Sequence, residues 1–478
     1  MKKVLLIFFL FRWPVGVFAQ GMMFNDNTYQ GMPQKRSAQA VRSLPTRIDL
    51  SVYAPSVMDQ GELGTCVGVS VGYYMRTMLE AQRRRLTKKI EIDKLRFSPS
   101  FLYNSIKPLT DNTCMLGADI AEALEYLKQN GLPKLSEQPY PYCAPNKPIA
   151  LKNDSKILDY VKLFGITDRE ENVVVTTKKA LSELSPVVVG IQTTSSFNDL
   201  SLRNTFFSRG MAFFGSSTAQ AQISQWKPAT NASTTLSYGH ALCVIGYDDK
   251  KFGGAFRLVN SWGDSWGESG YFWMTYADYK KYVKYGYQAY IEPLNVAQNA
   301  LSVDLTISVG TFVTGTQEEV VRANANAKLT AYTFKKPQRT GTPYKFSANV
   351  SKQTYVYMIA ANATENITTK LFPNNNFSPL IGTNTKLDLP SDELLTLIDP
   401  KGTEYWLFLF SDKAIDIDGY VKKINEAKGP FPDRVIEAFG DALLPYQQVN
   451  YKEKKMGFFL KNQQRGRIVP LLVSMNHI

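Results

Sequence analysis

Cys66 and His240 are the two residues of this 478-residue sequence whose types best suit nucleophilic chemistry. The chain has four cysteines and two histidines, and the other histidine, His477, is the penultimate residue. Cys66, Cys114, Cys143 and Cys243 are scattered, with no C-x-x-C or H-x-x-x-H pair, so most zinc architectures are excluded and no metal or cofactor is expected. A thiol paired with an imidazole can attack a carbonyl carbon. In MDQGELGTCVGVSVGYYMRTMLEAQ, Gly61 and Gly64 make a turn, Thr65 fits an N-cap, and a helix is expected from Cys66 to about Arg85. A thiol in the first turn faces unpaired N–H groups and the positive end of the helix dipole, which favour thiolate. Gly68 and Gly72 share a face of that helix, so close packing is expected there. The competing reading of Cys66 is a small buried core residue.

His240 lies 174 residues further on, in YGHALCVIGYDDKKFGGAFRLVNSWGDSWGESGYFWM. Two apolar runs, HALCVIGY and AFRLVNSW, flank the turn DDKKFGG, which is a hairpin signature. Residues opposite each other in a hairpin have a constant index sum, and His240 and Asn260 are centred on position 250, inside the turn. The pair is therefore expected across strands with Cβ atoms about 5 Å apart, within one or two residues of register. An amide there fixes the imidazole tautomer and leaves the other ring nitrogen for a nucleophile. Cys243 alternates with His240 and reads as a buried core thiol.

The surrounding elements divide the chain. Met1-Lys2-Lys3, the apolar run VLLIFFLF and the small residues before Gln20 predict a signal peptide over 1–19, with export to a periplasmic or extracellular, oxidising compartment. That run is too short to span a bilayer, and no transmembrane segment is expected. Residues 20–45 are polar and aperiodic and read as a short leader or linker. Residues 46–296 mix patterns: DIAEALEYLKQNG is helical with a stop at Gly131, and SPVVVGIQT is a buried strand. From 297 to 478 strands dominate, as in YKFSANV, TYVYMIAA, EYWLFLFS and IVPLLVSM, with one helix in PDRVIEAFGDALL. An apolar fraction of 44% and a charged fraction of 20% describe a globular chain. The net charge of +13 is evenly spread apart from Arg83-Arg84-Arg85 and Lys88-Lys89, which read as a solvated helix end, so no nucleic-acid partner is expected.

Three blocks in residues 46–296 resemble the papain family of cysteine peptidases: DQGELGTC, YGHALCVIGYD and RLVNSWGDSWGESGYF, in the family's order. The resemblance implies an α+β catalytic domain of two lobes, one helical and one a β-barrel, with a cleft between them. It also implies Cys66 as nucleophile, His240 as general base and then acid, Asn260 as its orienter, and Gln60 as oxyanion donor beside the Cys66 N–H. Trp262 would shield the Asn260–His240 contact, and Gly117, Trp262 and Gly239 would line the substrate cleft. The chain departs from the family at Val67, where tryptophan is usual, and at Leu63, where a cysteine is common. That cysteine's usual partner region contains Cys114, so the expected disulfide is Cys114–Cys143. The glycine-rich cleft segment is reduced to Met115-Leu116-Gly117, and the cysteine-to-histidine spacing is longer than the roughly 130 to 150 residues common in the family. The extra length falls in DLSLRNTFFSRGMAFFGSSTAQAQISQWKPATNASTTLS.

The family's long inhibitory propeptide has no counterpart, and one expectation is that the C-terminal region covers part of the cleft instead. Residues 297–478 resemble in part an accessory domain of unknown function in exported bacterial proteins, on the segments TYVYMIAANATENITTKLFPNN and IDPKGTEYWLFLFSD. Their expected role is binding, to cell envelope or to protein substrate. Together the resemblances imply an exported cysteine endopeptidase acting on protein or peptide substrates. A transpeptidase or isopeptide amidase on the same triad and a non-catalytic binding protein are the alternatives.

Overall fold

The computed structural model describes residues 21–35, 44–168, 170–200, 224–229, 239–293, 300–310, 316–317, 320–324, 329–365, 367–374, 377–383, 385–390, 393–461 and 466–478. The expected signal peptide and most of the long segment before His240 lie outside the described residues.

The helix expected at Cys66 starts there. Its π-helical turns Gly68–Met75 are entirely buried and run on into the α-helix Arg76–Arg83. Small residues let this helix approach its neighbours: a Cβ added at Gly68 would lie 2.6 Å from the Pro99 carbonyl oxygen, at the start of the helix Pro99–Ile106. The helix Ile120–Gln129 is capped by the Asp119 carboxylate and ends before Gly131, whose φ of 84° only glycine adopts readily.

The strands of the middle region are β1 (Arg47–Asp49), β2 (Asp159–Lys162), β3 (Val187–Gln192), β4 (Gly239–Asp248), β5 (Ala255–Val259), β6 (Tyr271–Thr275) and β7 (Val283–Tyr290). They form one sheet in the order β2-β7-β3-β4-β5-β6, with β1 beside β4. β3 and β4 are buried along nearly their whole length, as their unbroken apolar runs require. One apolar core joins this sheet to the helices around Cys66.

After residue 300 the described strands build two more sheets. One has Ile468–His477 between Gly402–Ser411 and Thr330–Phe334, and the other is centred on Leu301–Val309 and Pro343–Val350. Leu301–Val309 alternates buried and less buried residues, the mark of a strand with one face on a core. His477 is buried at the end of its strand, with Nδ1 3.1 Å from Glu404 Oε1 and Nε2 2.9 Å from Thr340 Oγ1. A third apolar cluster joins the middle and C-terminal regions, packing Val161 and Tyr290 against Tyr355 and Leu380.

Candidate active site

The turn before Cys66 is held by backbone bonds to both sides of the site, from Gln60 N–H to the Ser261 carbonyl (2.7 Å) and from Gly64 N–H to the Cys114 carbonyl (2.7 Å). Thr65 occupies the cap position through its carbonyl, which accepts from Val69 N–H at 3.1 Å. Its side chain does not cap, because the hydroxyl bonds Tyr140, whose own proton goes to the Gln60 carbonyl. Farther along the helix, Ser70 donates to the Ala241 carbonyl (2.8 Å) and Tyr74 to the Asn260 carbonyl (2.9 Å). One helix thus carries Cys66 and is bonded to the chain beside His240 and at Asn260. Sequence reasoning missed Ser70 and Tyr74, although their positions four and eight residues after Cys66 place them on one helical face.

β4 and β5 pair as an antiparallel hairpin, with Cys243 opposite Val259 and a register shift between Val244 and Gly246. The shift slides His240 off direct opposition to Asn260, yet the side chains still meet, with His240 Nε2 2.8 Å from Asn260 Oδ1. Asn260 Oδ1 also accepts from Ser261 N–H at 2.8 Å, so it is the amide oxygen that faces the ring and Nε2 carries the proton. The neutral ring is then bare at Nδ1, which has no hydrogen-bond partner. Trp262 lies against the imidazole at 5.1 Å between centroids, and Phe197 closes another side at 5.8 Å.

Gln60 is buried, and its orientation is set by two bonds: Ser261 Oγ donates to Oε1, and Nε2 donates to the Leu63 carbonyl at 2.7 Å. Cys114 and Cys143 are joined by a disulfide, 5.9 Å apart at Cα. Cys243 is buried and free.

The space over Cys66 is filled by the leader. Met22 N–H bonds the Gly239 carbonyl (3.1 Å), Met23 N–H bonds the Ala118 carbonyl (2.9 Å), and Ala118 N–H bonds the Gly21 carbonyl (2.9 Å). Gly117 and Gly239 therefore flank a peptide strand, and both must lack side chains: an added Cβ would sit 2.3 Å from Gly21 O and 2.4 Å from Met22 O respectively. The Met22 side chain lies on Gly190, where a Cβ would come within 2.3 Å of its terminal methyl. The cover over Cys66 is thus Gly21–Met23 rather than the C-terminal region, because its backbone finds partners on both walls of the groove.

This cover changes the electrostatics from the thiolate that the helix start favours. Burial pushes the Cys66 thiol up to about 11, although the backbone N–H groups of Ala241, Gly21, Val67 and Cys66 pull the other way. Burial likewise lowers His240 to about 4 against the opposing effect of its bond to Asn260. Both groups are neutral under the leader near pH 7.

A family model described as papain family cysteine protease matches residues 44–290. Among curated proteins the chain is 28% identical over 222 residues to cathepsin K of Gallus gallus, covering 46% of this chain and 54% of that protein. It is 26% identical over 254 residues to a cathepsin L-like proteinase of Fasciola hepatica, covering 52% and 64%. The chain thus spans about half to two thirds of the length of these relatives. Among solved structures, xylellain, a cysteine protease from Xylella fastidiosa, matches with a TM-score of 0.41 at 20% identity, over 57% of this chain and 96% of that one. Since the model covers more than half of the residues and spans the helix, hairpin and sheet just described, the chain belongs to the papain family of cysteine proteases.

Proposed function

We propose that this protein is an exported cysteine endopeptidase, with a two-lobed catalytic domain over residues 46–296, a β-rich accessory domain over 297–478, and a leader that keeps it latent. The observation that carries the reading is the peptide strand Gly21–Met23, hydrogen-bonded to both walls of the groove above Cys66. A groove that binds backbone N–H and C=O groups in this way is suited to peptide substrates.

With the leader displaced, Cys66 and His240 regain solvent, and the thiol proton passes to Nδ1 of His240. The thiolate attacks the scissile carbonyl carbon, forming a C–S bond. The resulting oxyanion is held by the Cys66 N–H and the Gln60 amide. The Nδ1 proton then goes to the leaving amine as the C–N bond breaks. Water attacks the thioester, giving one proton back to His240, and the carboxylate product leaves as the thiol re-forms. Asn260 keeps Nε2 protonated throughout, so Nδ1 alone exchanges the proton.

Intact-mass analysis after exposure to a peptidyl epoxide tests the reading. With the leader loosened by Met22→Asp it predicts one adduct on Cys66, strongly slowed by His240→Ala, and turnover that releases carboxylate products even with added amines. Labelling at Cys243, or labelling indifferent to His240, would sink it. Amine-capped products would point to a transpeptidase.

A further inference from the structure

The leader is bound at two ends. From the groove it passes through the short helix Asp26–Gly31, where Tyr29 is buried, stacks on Tyr285 at 4.2 Å and donates to the Phe164 carbonyl at 2.7 Å. It then pairs with β2, through Lys162 N–H to the Pro33 carbonyl (3.1 Å) and Lys35 N–H to the Lys162 carbonyl (2.7 Å).

At this far end the C-terminal region meets it. Ser378 N–H donates to the Gln34 carbonyl at 2.9 Å, and Phe377 bridges to Gln34. Lys35 is almost wholly buried, with Nζ bonded to Glu183 Oε2 at 2.5 Å and Gln288 Oε1 at 2.6 Å. The residues beyond Ser378 close over that buried pair: Thr385 Oγ1 lies 3.4 Å from Glu183 Oε1, and a Cβ at Gly382 would lie 2.4 Å from Glu183 Oε2. A buried ammonium–carboxylate pair is worth most where water is excluded, and residues 377–383 with Thr385 supply part of that exclusion.

We propose that the partner of the accessory-domain surface formed by residues 377–383 and Thr385 is the chain's own leader, and that this surface clamps Gln34 and Lys35 and so holds Gly21–Met23 over Cys66. The inference rests on the leader-latent peptidase reading above. Coupling follows because only about a dozen residues join the two ends: loosening the anchor lowers the effective concentration of the tip at the groove. The clamp and the groove share no side chain, so they can be broken separately.

The test compares alkylation of Cys66 by iodoacetamide, at pH 7 in the full chain, for three variants. Met22→Asp places a carboxylate in the site on Gly190 and should raise the rate by about tenfold or more. Lys35→Met/Glu183→Gln removes both members of the anchor pair and should raise it severalfold. The triple variant should react no faster than Met22→Asp alone, because both changes act through the leader. Hydrogen exchange guards against misfolding: the anchor variant should lose protection at the Met22 and Met23 amides while β3 keeps its own. Acceleration by Met22→Asp with wild-type rates and wild-type Met22 and Met23 protection in the anchor variant would overturn the clamp and leave the latent peptidase standing. No acceleration by Met22→Asp would overturn both, and additive rates in the triple variant would overturn the clamp.

Discussion

His240 shows how much one acceptor decides. Because Asn260 Oδ1 takes protons from both Nε2 and Ser261 N–H, the ring can be basic only at Nδ1. Gln60 is fixed in the same way by Ser261 Oγ, so Ser261 orients both the proposed orienter and the proposed oxyanion donor. Replacing Gln60 by Ala should lower kcat by about 10²- to 10³-fold with little change in KM, checked by steady-state hydrolysis in a leader-released background. The neutral pair under the leader also sets a pH window. A closed form with His240 near 4 binds fewer protons than an open form near the ordinary 6.5, so its stability falls as pH drops from 6.5 towards 4. A closed thiol near 11 binds more protons than an open one near 9, so stability falls again as pH rises from 9 towards 11. Protection of the Met22 and Met23 amides, corrected for intrinsic exchange, should therefore peak between about pH 6.5 and 9; a flat profile would contradict the burial argument.

At the scale of elements, the helix from Cys66 and the β4–β5 hairpin were legible because each leaves a pattern in side chains: glycines on one helical face, and two apolar runs about a glycine turn. The register shift between Val244 and Gly246 was not, since a bulge is a backbone event that the alternation absorbs. Neither were the bonds from Ser70 and Tyr74, which join elements far apart in sequence. Tyr74 accepts from Met58 N–H as well as donating to the Asn260 carbonyl. Tyr74→Phe leaves both groups unpaired and should cost about 1–3 kcal/mol in denaturant unfolding. It should also lower kcat, because Asn260 loses a support. Of the basic run that reads as a solvated helix end, Arg84, Arg85, Lys88 and Lys89 are exposed and Arg83 is turned inward; Arg83, Arg84 and the buried Arg76 all bond Glu80, holding its carboxyl down near 2 despite burial. Glu80→Gln should therefore destabilise the helix end more than a surface charge change would, read as a fall in Tm.

Across the whole molecule, the sequence reading placed the catalytic candidates within residues 46–296 but treated 20–45 as aperiodic filler. Its docking explains why: the tip of the leader binds the groove largely through backbone atoms of Gly21, Met22 and Met23 against Gly117, Ala118 and Gly239, and farther along isolated side chains such as Tyr29 and Lys35 hold it, so neither kind of contact imposes a period. The shared apolar cluster of Val161, Tyr290, Tyr355 and Leu380 was hidden for a related reason, since each half looks like ordinary core in its own segment. Leader, groove and C-terminal sheets form a connected unit, so activity should depend on a segment that carries none of the proposed catalytic residues. The most direct measurement is hydrolysis of a fluorogenic peptide by the full chain and by Met22→Asp, each with and without Cys66→Ala. The account predicts slow hydrolysis by the full chain, about tenfold or faster hydrolysis by Met22→Asp, and none once Cys66 is replaced. Equal rates with and without Met22→Asp, or hydrolysis that survives Cys66→Ala, would contradict it.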